Sequence, residues 1–188
     1  MKKIAIFASG NGSNFEALVS AYKKGELNAE PVVCICDKQG AGVIERAERL
    51  GVPAEVISPK KFKTKEEYEK EILRILKDRD VDLICLAGYM RIIGRTLLEA
   101  YPKKIINIHP SLLPAFKGAH AIRDAFEYGV KVFGVTIHYV DETLDGGEII
   151  SQAAIPYEGN SIEEIETLIH KTEHRLYVET VEKLEIRN

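Results

Sequence analysis

The sequence predicts an α/β fold: one open, mostly parallel, Rossmann-like sheet with helices on both faces and an antiparallel strand pair at its C-terminal end. Three observations carry this. Short apolar runs without polar alternation recur through the first 110 residues, as in strands buried on both faces. Stretches with helical spacing separate those runs, which sets the strands parallel. After residue 130 two longer strand-like runs follow each other across a turn-rich loop, the pattern of an antiparallel pair.

Residues 2–8 (KKIAIFA) form the first strand. Residues 13–24 carry Phe15, Leu18, Val19 and Tyr22 on one helical stripe. Residues 31–36 are β-branched and apolar, a second strand. Residues 43–50 form a short helix that Gly51 stops. Residues 54–57 give a brief third strand. Thr64 and Glu67 make a capping box for a helix that turns Tyr68, Ile72, Ile75 and Leu76 inward. Residues 82–87 and 105–108 are the fourth and fifth strands. Residues 132–140 and 148–155 are the antiparallel pair at the sheet edge. Ser161 and Glu164 open a long last helix with Ile162, Ile165, Ile169, Leu176, Val181 and Leu184 as its buried stripe. No linker is long enough to divide the chain, so residues 1–188 read as a single domain, large enough for a full core.

Composition excludes several classes. Hydrophobic residues at 45% are too many for a disordered chain. A net charge of −3 argues against a nucleic-acid coat, which needs a basic surface. The apolar run at residues 4–8 is too short for a signal segment or a membrane span. Cys34, Cys36 and Cys85 show no metal spacing and read as reduced thiols of a cytoplasmic protein. No feature assigns an oligomeric state.

Ser9-Gly10-Asn11-Gly12-Ser13-Asn14 joins the first strand to the first helix. Glycines let a ligand approach the backbone. The helix start offers unpaired N–H groups and partial positive charge, so phosphate is the natural ligand. A plain turn with Ser13 and Glu16 as a capping box explains the same residues. Position favours phosphate, because ligands gather at the carboxyl edge of open α/β sheets. The dinucleotide fingerprint fits Gly10 and Gly12, with Asp37 as its acid, but fails at Phe15, where close helix–strand contact wants no side chain. The P-loop pattern fails outright.

Asn107 and His109 end the fifth strand two residues apart, so they point to the same side. One is an amide donor and the other exchanges protons near neutral pH. Leu112-Leu113-Pro114 then turns the chain and admits a cis proline. Asp145, before Gly146-Gly147, offers a carboxylate that can reach His109 and orient it. This set serves acyl transfer or amine addition. Each residue alone is more often structural; together on one strand end they favour chemistry. His109, His120, His138 and Asp145 match no zinc spacing. His170 and His174 lack the glutamate of H-E-x-x-H and read as an ordinary helix face, apart from Glu173. No G-x-S-x-G nucleophile elbow occurs.

These motifs together resemble the phosphoribosylglycinamide formyltransferase family. The matching pieces are Gly10-Asn11-Gly12-Ser13-Asn14, Ala87-Gly88-Tyr89-Met90-Arg91-Ile92, Asn107-Ile108-His109-Pro110-Ser111-Leu112-Leu113-Pro114, Lys117-Gly118-Ala119-His120 and Asp145-Gly146-Gly147, in family order over essentially the whole chain. The His-Pro-Ser-Leu-Leu-Pro block also resembles methionyl-tRNA formyltransferase and formyltetrahydrofolate deformylase. Those relatives normally add a further domain, and the Gly-Asn-Gly-Ser-Asn loop selects the phosphorylated small substrate.

The resemblance implies formyl transfer from 10-formyltetrahydrofolate, a co-substrate, to the amine of phosphoribosylglycinamide in purine (IMP) biosynthesis, with no metal, nucleic acid or membrane involved. It implies that Gly12, Ser13, Asn14 and Glu173 bind the ribonucleotide. Lys65, Met90, Arg91, Ile92, Ile93 and Asn107 contact the folate, and Asn107, His109 and Asp145 are catalytic. Lys65 stands where the family often has arginine, a point charge in place of a bidentate fork. The alternative is a related folate-dependent formyltransferase or a formyltetrahydrofolate hydrolase. A folate- or nucleotide-binding regulator without turnover is the rival from another class.

Overall fold

A computed structural model of the chain describes residues 1–186, with side chains as far as Leu184. In chain order the elements are β1 Lys2–Ala8, α1 Ser13–Lys23, β2 Ala29–Cys36, α2 Gly42–Leu50, β3 Ala54–Val56, α3 Lys65–Asp78, β4 Leu83–Leu86, α4 Arg95–Ala100, β5 Ile105–His109, α5 Ala121–Tyr128, β6 Val132–Tyr139, β7 Ile149–Pro156 and α6 Ile162–Ile186. A 3-10 turn, Pro59–Lys61, precedes α3. The strands form one sheet in the order β3-β2-β1-β4-β5-β6-β7. The first five run parallel. β6 is antiparallel to β5, and β7 to β6. The predicted architecture is therefore observed, with element ends moved by one or two residues.

Alternation on β1 shows why the strand is apolar from Ile4 onward. Ile4, Ile6 and Ala8 pack with side chains of α1, α2 and α6, while Ala5 and Phe7 pack with those of α3 and α4. Both faces are dry, so no polar position is tolerated. Phe15 of α1 is fully buried at the position where a dinucleotide fold has glycine for close helix–strand contact. Tyr177 on α6, absent from the predicted stripe, is fully buried and its hydroxyl donates to the Leu86 carbonyl at 2.8 Å.

The caps follow the sequence with one change. The Thr64 hydroxyl accepts from the Glu67 N–H at 3.1 Å, a contact of about 1 kcal/mol. The Glu67 carboxylate, however, takes the N–H of Lys63 rather than that of Thr64. Ser161 caps α6 through the Glu164 N–H at 3.2 Å. Two helices went unpredicted. α4 has only six residues with Leu97 buried, and α5 buries only Ala121 and Ala125. Neither presents an apolar stripe long enough to read.

Strand order sets the site. From β1 the chain runs outward to β2 and β3, then crosses back so that β4 lies on the other side of β1. Ligands bind at such a switch point, between the loops that follow the two strands. Those loops touch here: Ser9 N–H donates to the Gly88 carbonyl at 3.1 Å, and Met90 N–H donates to the Ser9 hydroxyl at 2.9 Å.

Candidate active site

The loop after β1 is shaped for close approach. Gly12 precedes α1 with φ 80°, and a Cβ there would lie 2.6 Å from the Val43 side chain. Ser13 is the first helical residue, and among the described residues no side chain caps α1. The alternative capping box is not formed. The Glu16 carboxylate binds Arg46 and Arg49 instead, and Arg46 also donates to the Asn11 carbonyl at 2.7 Å. The first turn thus keeps donors for an anion.

Glu173 reaches this turn from α6. Asn14 Nδ2 donates to its carboxylate at 3.4 Å, and His170 Nδ1 lies 3.0 Å from the same oxygen. Glu173 is 6% exposed. Among the described residues Asn14 Oδ1 and His174 Nε2 are buried without hydrogen-bond partners. The hydrogen bond that His170 donates to the Glu173 carboxylate raises the His170 pKa, while burial lowers that of His174. This corrects the expectation of an ordinary face at His170 and His174. The legible signal was the three-residue spacing of His170 and Glu173.

His109 and Asp145 come together, and Asn107 lies two residues before His109 on β5. His109 Nδ1 stands 3.6 Å from Asp145 Oδ2, an ion-pair distance longer than a hydrogen bond. His109 Nε2 donates to the Phe116 carbonyl at 2.8 Å, so both ring nitrogens face acceptors. Asp145 accepts from Gly118 N–H at 2.8 Å. Its loop is tight, because a Cβ on Gly147 would lie 1.8 Å from the Tyr139 carbonyl oxygen. The Leu113–Pro114 peptide is cis, as the sequence admitted.

Sequence reasoning weighed His138 only as a metal ligand. It pairs with Asn107 across β5 and β6. His138 Nδ1 lies 2.9 Å from the Tyr139 carbonyl, which can only accept, so Nδ1 carries hydrogen. Burial lowers the His138 pKa and favours the neutral ring. Its Nε2 then accepts from Asn107 Nδ2 at 3.2 Å. That contact fixes which end of the Asn107 amide is the nitrogen and leaves one N–H for a ligand.

Lys65, Met90, Arg91, Ile92 and Ile93 line one cavity of about 460 Å³ between α3 and the segment after β4. Asn107 is not among its lining residues. Met90 and Ile92 are 71% and 64% exposed at its mouth. Arg91 is already engaged, with Nε donating to the buried carboxylate of Asp37 at 2.8 Å. Tyr68 and Tyr89 share a hydrogen bond at 2.7 Å in the cavity wall. A larger hollow of about 550 Å³, beside β3 and α3, contains none of the predicted site residues.

Among the described residues no three His, Cys, Asp or Glu side chains are grouped to hold a metal, and no helix is long and apolar enough to cross a membrane. The three cysteines are free and buried, and burial pushes Cys34 and Cys85 up to about 12, far from a reactive thiolate.

A formyl transferase family model matches residues 2–181. The curated phosphoribosylglycinamide formyltransferase of Bacillus subtilis is 52% identical over 185 residues, covering 98% of this chain and 95% of that protein. The trifunctional purine biosynthetic protein adenosine-3 of Gallus gallus is 42% identical over 176 residues, or 93% of this chain and 18% of that much longer protein. The crystal structure of glycinamide ribonucleotide transformylase 1 from Geobacillus kaustophilus superposes with a TM-score of 0.95 at 54% identity, covering 98% of both chains. Near-complete coverage in sequence and in structure shows that the chain belongs to the formyl transferase family.

Proposed function

We propose that the chain transfers the formyl group of 10-formyltetrahydrofolate to the amine of phosphoribosylglycinamide, a step of IMP biosynthesis, in the cytoplasm, with residues 1–188 acting as one formyltransferase domain. The observation that carries this is the placing of an uncapped helix start two strands from the Asn107–His109–Asp145 group. β1, β4 and β5 are neighbours, so the two sites stand about 10 Å apart across the sheet. A phosphate–ribose–glycinamide chain spans that distance, with its phosphate on the backbone of Gly12, Ser13 and Asn14 and its amine near Asn107. Glu173 supports the same substrate through Asn14.

The folate lies in the cavity between Lys65 and the segment from Met90 to Ile93, its flat ring covering the exposed Met90 and Ile92. Its formyl group extends toward Asn107. Arg91, held through Nε by Asp37, turns its remaining donors toward the folate side.

The amine attacks the formyl carbon, and the formyl oxygen gains negative charge. Asn107 donates its free amide N–H to that oxygen. His109, protonated, assists once the oxygen takes the place of the Phe116 carbonyl. Asp145 holds the imidazolium and takes part in moving the amine proton through water. The bond from the formyl carbon to folate N10 then breaks, N10 receives the proton, and tetrahydrofolate leaves. No step needs a metal.

Incubation with 10-formyltetrahydrofolate, with and without phosphoribosylglycinamide, tests this by absorbance and product mass. The expected result is formylated ribonucleotide and tetrahydrofolate only when both substrates are present. Formate without the ribonucleotide would indicate a hydrolase, and binding without product a regulator. Either outcome overturns the proposal.

A further inference from the structure

The wall of the folate cavity lacks packing on its outer side, since Met90 and Ile92 are largely exposed. Tyr89 and Ile93 pack into the core on its inner side, and polar contacts hold the rest. The Ser9 hydroxyl takes the Met90 N–H, and Asp37 takes Arg91. At the far end Glu69 of α3, only 3% exposed, accepts from Gly94 N–H at 2.5 Å and from Leu97 N–H at 3.4 Å. Gly94 begins α4 without any capping side chain of its own.

Burying a carboxylate is costly unless its oxygens are hydrogen-bonded. Both oxygens of Glu69 serve the backbone that continues the cavity wall. The contact is close: a Cβ on Gly94 would lie 2.8 Å from Glu69 Oε1 and 2.9 Å from Lys65 Cε. Lys65 and Glu69 are four residues apart and share one face of α3. One helix face therefore brings the cation and the clamp to the same stretch of wall, at Gly94.

We propose that Glu69 is a positioning residue for the folate: its carboxylate ties α3 to the first turn of α4 and so fixes the width of the cavity between Lys65 and the segment from Met90 to Ile93. This rests on the reading of that cavity as the folate site.

The test is the separate measurement of kcat and of both KM values for Glu69→Ala, Glu69→Gln and Ile92→Glu, with a melting curve for each. Glu69→Ala raises the KM for 10-formyltetrahydrofolate by about tenfold and leaves the ribonucleotide KM within about twofold. Glu69→Gln, which keeps a carbonyl acceptor for the Gly94 N–H, recovers most of the loss. An unchanged folate KM in folded Glu69→Ala, an equal rise in both KM values, or no recovery with glutamine overturns the proposal. If Ile92→Glu leaves the folate KM unchanged, the folate reading of the cavity fails, and the proposal with it. Should Glu69→Ala not fold, Gly94→Ala carries the test, because its methyl group meets the Glu69 carboxylate and the Lys65 stem, displaces that carboxylate from the Gly94 N–H and predicts the same split.

Discussion

Replacing Asp145 by asparagine removes one charge and little else. The Asp145 carboxylate lies 3.6 Å from His109 Nδ1, with the two side chains 7% and 11% exposed. A unit charge pair at that separation is worth about 4–5 kcal/mol at an effective dielectric of about 20, and about 1 kcal/mol in bulk water. Both groups are mostly buried, so the larger figure applies. If the imidazolium is stabilised chiefly as the formyl oxygen becomes charged, kcat falls by about 10³. Asparagine keeps an oxygen acceptor for the Gly118 N–H, so the loop stays anchored and the melting temperature holds. Steady-state formyl transfer with both substrates saturating gives kcat, and titration of each gives KM. A variant that melts like the parent and retains kcat within about fivefold would refute the coupling between the carboxylate and the imidazole.

Two further expectations concern other parts of the molecule. Ser13→Asp places a negative charge at the start of α1, where the proposed function seats the phosphate, and raises the ribonucleotide KM by about tenfold or more with folate KM little changed; equal effects on both substrates would contradict the phosphate assignment. His138 binds protons less readily in the folded protein than in the unfolded chain, because burial lowers its pKa. The unfolded state therefore takes up more protons, and its contribution to stability is lost as pH falls below about 6.5. His138→Gln flattens the decline of melting temperature between pH 7 and pH 5, and an unaltered decline would contradict it.

The doubly buried strands could be read because a strand such as Ile4 to Ala8 has no polar position on either face. The short helices could not, since α5 buries two alanines and little else. At the site, the shared side of Asn107 and His109 followed from their spacing, and the reach of Asp145 to His109 was expected from its place before Gly146-Gly147, but the path of its loop was not legible. Val140 N–H donates to the Ile105 carbonyl, so the loop leaves the sheet at the start of β5. It then doubles back about 13 Å, four residues along the strand, to meet His109. Nothing in the loop's composition states that direction. The contact of His138 with Asn107 depends on the register of β5 against β6, which is a property of the folded sheet. Likewise the ion pair of Arg91 with Asp37 depends on the strand order β2-β1-β4, which the sequence does not state.

In the proposed mechanism the Asn107 amide, oriented by His138, stabilises the charge on the formyl oxygen. A single-turnover formyl transfer with both substrates bound, comparing the parent with Asn107→Ala, tests it most directly. The expected result is a chemical step slower by about 10²–10³ with substrate binding nearly unchanged. A step within about threefold of the parent rate would contradict it.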